Sequence, residues 1–157
     1  MKKSILVVLA VLMTFTACAQ GRSDKTASTT QDEETKMKQK LYITVNGKTV
    51  AATLVDNSST QALLEKLKRG SITYEAHDYG SFEKVGDLPW SLPRNDEDIT
   101  TTYGDLILYL GKSFVIYYDT NSWDFTRLGK IDGMSQKEIK EFVNAGKGNV
   151  KVTLSLE

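Results

Sequence analysis

Trp123, Asp124 and Arg127 stand close together in the run Asn121-Ser122-Trp123-Asp124-Phe125-Thr126-Arg127, just after an apolar stretch that carries Tyr109 and Tyr117. An indole and two phenol rings can floor an apolar groove, and a guanidinium can anchor a negative charge. Tyr109, Tyr117, Trp123 and Arg127 are therefore the candidate ligand-binding residues, suited to an extended peptide or a small anionic molecule on the outside of a sheet. A packing role is the simpler alternative. In it Asn121-Ser122 turns the chain as a loop, Trp123 and Phe125 pack against a helix, and Arg127 pairs with a nearby acid such as Asp124. If Leu128 points into a core, period-two alternation sends Arg127 and Gly129 outward, which suits either role.

Other residues capable of chemistry are sparse, and no catalytic residue is assigned. His77 is the sole histidine, so one chain cannot build a two-histidine metal site. His77 and Asp78 point to opposite faces if the chain is extended, and a histidine in this turn-rich stretch reads as a surface residue. Asp96-Glu97-Asp98 could meet a cation, but three neighbouring acids in a loop read as solvated. No G-x-S-x-G elbow and no glycine-rich phosphate loop occurs, so neither a hydrolase motif nor a cofactor motif is present.

The first residues decide location. Lys2 and Lys3 precede Ile5 to Phe15, which is apolar except for Thr14, and small residues follow at Thr16-Ala17. That order predicts a secretory signal peptide over residues 1–17. Eleven residues are too few for a membrane-spanning helix, which takes about 20. Phe15-Thr16-Ala17-Cys18 resembles the lipobox of bacterial lipoproteins, with Phe15 where an aliphatic residue is usual. The resemblance implies that Cys18, the only cysteine, is acylated and becomes the new N-terminus. A lone cysteine in an exported chain has no disulfide partner within the chain, which agrees. The alternative is a plain signal peptide with a cysteine near its cleavage site. The expected partner is thus the membrane, reached through the lipid, and the expected location is the cell envelope, facing the periplasm.

Residues 19–40 hold one methionine and two alanines as their only apolar side chains, too little to fold. Residues 18–40 therefore read as lipidated N-terminus and tether, with a flexible-coil reach of roughly 25 Å. Residues 41–157 are the size of one domain. They carry 13 Lys and Arg against 16 Asp and Glu, with no basic stripe, so no nucleic-acid partner is expected.

Within the domain, Leu41-Ile43-Val45 alternate, Asn46-Gly47 supplies a tight turn, and Thr49 to Leu54 returns as a hairpin. Asp56-Asn57-Ser58-Ser59 precedes Leu63, Leu64 and Leu67 on one helical face, stopped by Gly70. Ser135 and Glu138 form a capping box before Ile139, Phe142 and Val143. Ile72 to Ala76 is a strand, a long segment rich in turns follows, and then comes the hairpin Asp105 to Asp119. In that hairpin Leu106, Leu108 and Leu110 oppose Ile107 and Tyr109, while Phe114, Ile116 and Tyr118 oppose Val115 and Tyr117. Both faces are apolar, which predicts a core on one side and a helix, loop or ligand on the other. With Val150 to Leu156 as a last strand, the chain reads as mainly β: about eight short strands and two helices in a small closed barrel.

Asp56-Asn57-Ser58, Ser91-Leu92-Pro93, Tyr103-Gly104-Asp105-Leu106, Thr126-Arg127-Leu128-Gly129-Lys130-Ile131 and Gly148-Asn149-Val150 resemble, in order and spacing, the bacterial cyclophilin-like domain family. The resemblance covers essentially all of residues 41–157. It implies an eight-stranded barrel capped by two helices, in a family that includes lipoproteins. True cyclophilins lower the prolyl rotation barrier of about 18–20 kcal/mol with a guanidinium beside an apolar proline pocket. Their F-H-R-V strand and G-F-M-x-Q-G-G-D segment have no counterpart here, and Arg69, Arg94 and Arg127 stand in other contexts. The expected function is a binding or accessory module without isomerase residues; the alternative is an enzyme of unassigned reaction, residual peptidyl-prolyl isomerase included, and a third reading is a purely structural partner in an envelope complex.

Overall fold

The computed structural model of the protein describes residues 39–157. Strand β1 (Lys40–Val45) turns at Asn46 and Gly47, both with positive φ, into β2 (Lys48–Leu54). Helix α1 (Ser58–Leu67) begins at Asn57, whose side chain and that of Thr60 form a reciprocal cap. Then follow β3 (Ile72–Tyr79), β4 (Glu83–Asp87), β5 (Asp96–Thr100), β6 (Asp105–Tyr109), β7 (Ser113–Tyr117) and β8 (Ser122–Ile131). Helix α2 (Gln136–Phe142) carries the Ser135/Glu138 capping box, and β9 (Val150–Ser155) ends the fold.

The strands run β2-β1-β9-β3-β4-β7-β6-β8, all antiparallel, and a β2–β8 pairing closes the ring. Eight strands thus make the barrel, and β5 adds to β8 outside the ring. Closure gives each of the eight barrel strands a partner on both sides, and the first half of β8 reaches beyond its pairing with β2, where β5 covers the edge that β-rich chains otherwise have to blunt by other means. The seam is tight at Gly129, where an added Cβ would stand 2.3 Å from the Thr53 carbonyl oxygen. Only glycine lets the two backbones approach so closely.

Period-two alternation fills the barrel. Leu41, Ile43 and Val45, Leu106 and Leu108, Phe114 and Ile116, and Val150, Val152 and Leu154 all join one buried cluster. Leu63 and Leu67 of α1, and Ile139, Phe142 and Val143 beside α2, enter the same cluster. Inside, the Lys84 side chain is fully buried, its ammonium 2.7 Å from Asp78 Oδ2 and 2.6 Å from the Gly148 carbonyl oxygen. Asp78 also accepts from the Tyr118 hydroxyl and the Gly146 amide, so this group ties β3 and β4 to the segment after α2. Burial works against the Asp78 charge, yet the Lys84 ammonium and the two donors outweigh it and lower its pKa.

Three expectations need correction. Asp96-Glu97-Asp98 is not a loop but most of strand β5, because its backbone pairs with Asp124 to Thr126 of β8. His77 lies not in a turn but on β3, exposed on the side opposite Asp78. Leu110 does not continue the Leu106-Leu108 face. It takes a positive φ in the turn beside Gly111 and is exposed.

Candidate functional site

The central hairpin β6–β7 decides where a site can form. Its inward side chains belong to the barrel core, while Ile107, Val115 and Tyr117 face out and join Ile99 and Phe125 in a second, smaller apolar cluster. Phe82, Val85 and Tyr109 pack against that cluster. No helix covers it. The stretch that carries Trp123 is not a loop: Ser122 to Ile131 is one long strand, paired to β5 at one end and to β6 and β2 at the other.

A cavity of about 330 Å³ opens over this outer cluster, lined by Tyr79, Phe82, Glu83, Tyr109, Val115, Tyr117, Asn121, Trp123 and Phe125. Its rings form a continuous chain. Tyr79 meets Phe82 edge-on at 6.2 Å, Phe82 stacks on Tyr117 at 6.1 Å and 5°, Tyr117 meets Phe125 at 5.8 Å, and Phe125 meets Tyr109 at 6.2 Å. Such offset and edge contacts fix ring positions and add to the area they bury. Trp123 stands at the rim, 63% exposed, opposite Ile99 of β5.

Two buried polar groups meet the cavity. Glu83 and Tyr117 are paired residues of β4 and β7, and their side chains are hydrogen-bonded. Burial pushes the Glu83 carboxyl above its ordinary pKa, more than the Tyr117 hydroxyl and the nearby His77 pull it down. Burial and the Glu83 carboxylate push Tyr117 far up, so its hydroxyl stays protonated and donates. The Asn121 amide reaches the same hydroxyl at 3.4 Å.

Of the four residues singled out from the sequence, Tyr109, Tyr117 and Trp123 surround the cavity and Arg127 does not. The guanidinium of Arg127 lies 3.2 Å from Asp105 Oδ2, and Lys130 holds the other oxygen at 3.0 Å. Asp105 is 3% exposed, so this cation pair neutralises a buried carboxylate. Arg127 thus pairs with Asp105 and not with Asp124. A register shift between β6 and β8 leaves Leu128 without a partner on β6 and turned into the core, with Arg127 outside. Phe125 packs in the outer cluster and not against α2, whose buried residues face the barrel interior.

Tyr79, Phe82, Glu83 and Asn121 complete the site and were not singled out from the sequence. The signal existed in Tyr79-Gly80-Ser81-Phe82: Gly80 and Ser81, with φ of 58° and 60°, are the central residues of the turn in a three-residue hairpin loop between β3 and β4. A Cβ on Gly80 would come within 2.2 Å of the Phe82 ring, so this glycine both turns the chain and lets Phe82 reach Tyr117. Among the described residues, no three His, Cys, Asp or Glu side chains converge as metal ligands. Cys18 lies outside the described residues.

Two solved structures share the architecture. The hypothetical protein AF2241 from Archaeoglobus fulgidus superposes with a TM-score of 0.58 at 13% identity, over 80% of this chain and 99% of its own. McbB, solved in complex with tryptophan, gives a TM-score of 0.53 at 18% identity, over 73% of this chain and 44% of its own. Identities this low establish the shared fold alone. No curated protein matches the sequence. The family model described as Cyclophilin-like family matches residues 43–155, nearly the whole of the described domain, and the chain belongs to that family.

Proposed function

We propose that the chain is a lipid-anchored protein of the bacterial cell envelope, facing the periplasm, whose barrel acts as a binding or accessory module. The observation that carries the binding role is the aromatic cavity over Tyr117. An outward sheet face lined by six aromatic rings, with a carboxyl, a hydroxyl and an amide converging on it, has the size and makeup of a small-molecule site. Anchoring rests on the Phe15-Thr16-Ala17-Cys18 motif and on the short apolar run before it. Lipidation with two or more chains would hold the domain stably, whereas one chain binds only marginally.

Prolyl isomerisation does not fit the site. Among the described residues no arginine of the kind such chemistry needs lines the cavity, and Arg127 is engaged with Asp105. One observation favours a second reading, an enzyme: the raised pKa of Glu83 in a cavity is what a general acid or base requires.

Native mass spectrometry of the protein purified from membranes tests the binding role. A co-purifying small molecule lost in Trp123→Ala supports it, and a protein that retains the molecule in that variant refutes the assigned site. The McbB structure holds tryptophan, so tryptophan belongs among the first probes added. Cys18→Ser tests the anchor: the variant leaves the membrane fraction, and unchanged fractionation with no acyl mass on the native N-terminus overturns lipidation. In a protease-coupled proline assay the protein does not exceed the uncatalysed rate, and a clear catalytic rate overturns the ranking of binding above isomerisation.

A further inference from the structure

The charge around the cavity is one-sided. Among the described residues its lining contains a carboxylate, Glu83, and no Lys, Arg or His. The two cations nearest along β8 are already committed, Arg127 and Lys130 both to Asp105. On the barrel's inner side Lys84 is committed to Asp78. Glu83 receives a hydrogen bond from Tyr117 and a coulombic pull from His77, which lies outside the cavity lining, and burial outweighs both at its carboxyl. A carboxylate set among aromatic rings without a counter-charge is costly, and proteins otherwise pair such a group. Six aromatic rings around it present the negative faces and polarisable surface that attract a cation.

We propose that the outer cavity binds an organic cation, an ammonium group carried on a small apolar body, held among Tyr79, Phe82, Tyr109 and Trp123 and neutralised by Glu83. The inference rests on the cavity being a ligand site, and it reverses the sign of ligand that an anchoring Arg127 would have implied. The ammonium supplies the counter-charge that the site lacks. The exposed indole of Trp123 closes over it from the rim, and Tyr117, by donating to Glu83, holds the carboxylate oriented toward the opening. A cavity of about 330 Å³ takes a molecule of this kind whole.

Three probes of nearly equal shape separate the class of ligand from the existence of the site: choline, its neutral isostere 3,3-dimethylbutan-1-ol, and the anion 3,3-dimethylbutanoate. Each is titrated into the full-length chain in a maltoside detergent, by calorimetry and by the Trp123 indole N–H resonance. The expected result is that choline binds about tenfold more tightly than the alcohol, the butanoate more weakly still. Glu83→Gln, which keeps the shape and the bond from Tyr117, weakens choline by about the same factor and leaves the alcohol unchanged. Trp123→Ala, at an exposed position, weakens choline without unfolding the protein. Alcohol or butanoate binding as tightly as choline overturns the cation inference and leaves the site in place. If none of the three binds or moves the Trp123 resonance, both the site and the inference fail. Phosphatidylcholine vesicles in a second arm separate two sources of the ammonium: competition assigns the cavity to lipid headgroups, its absence to soluble cations, and either result supports the ammonium.

Discussion

Replacing Trp123 by alanine separates a ligand-binding rim from a packed core. Trp123 is 63% exposed, so only about a third of its surface is covered, mostly against the cavity wall and the neighbouring strand. A large aromatic side chain buries about 150–250 Å² when enclosed, which puts roughly 80 Å² at stake here. At ~25 cal/mol per Å² that is ~2 kcal/mol, and compactness of the unfolded chain together with the Cβ that alanine retains reduces it to ~1 kcal/mol. Phe125, two residues on and 4% exposed, is the internal control. Its removal leaves a cavity beside Tyr109 and Tyr117 and costs about 3–5 kcal/mol. Urea unfolding followed by far-ultraviolet circular dichroism reads both, independently of the lost indole. With a slope of ~2 kcal/mol/M, the midpoint falls by ~0.5 M for Trp123→Ala and by ~2 M for Phe125→Ala. A Trp123→Ala loss as large as that of Phe125→Ala would place the indole in the core and leave no rim to meet a ligand.

Two further outcomes follow from the buried polar groups. Glu83 has a raised pKa in the folded state, so its contribution to stability is fully present below the unfolded value of 4.5 and is lost as pH rises through the folded value. Glu83→Gln is therefore more stable than the natural protein at pH 7, and the difference closes as pH falls toward 4.5; a difference that is constant with pH in chemical denaturation would contradict the assigned burial. The Tyr74 hydroxyl is buried in the core without a hydrogen-bond partner among the described residues, so Tyr74→Phe leaves stability unchanged or raises it by up to about 1 kcal/mol. A clear fall in the urea midpoint would mean that the hydroxyl is bonded, for instance to a buried water.

Several elements were written in the sequence. The Asn46-Gly47 turn, the Asn57 and Ser135 caps and the two-faced hairpin of Leu106 to Tyr118 are local signals, set by φ preferences, end hydrogen bonds and a period of two, and each formed where those rules place it. The two apolar faces of that hairpin also announced that something besides the core must meet the outer one. Tertiary structure decided what does. The acidic run of β5 carries no strand propensity of its own and became a strand because β8 offered an unpaired edge. Arg127 shares the outward face of Phe125 in a period-two pattern, but its guanidinium is held by the buried Asp105 of β6 instead of lining the cavity, and that ion pair is not visible in local sequence. Glu83 lies 34 residues before Tyr117 and becomes its partner only when β4 pairs with β7. A binding site assembled across strands distant in sequence is fixed by register, and register is a property of the closed barrel, not of any segment within it.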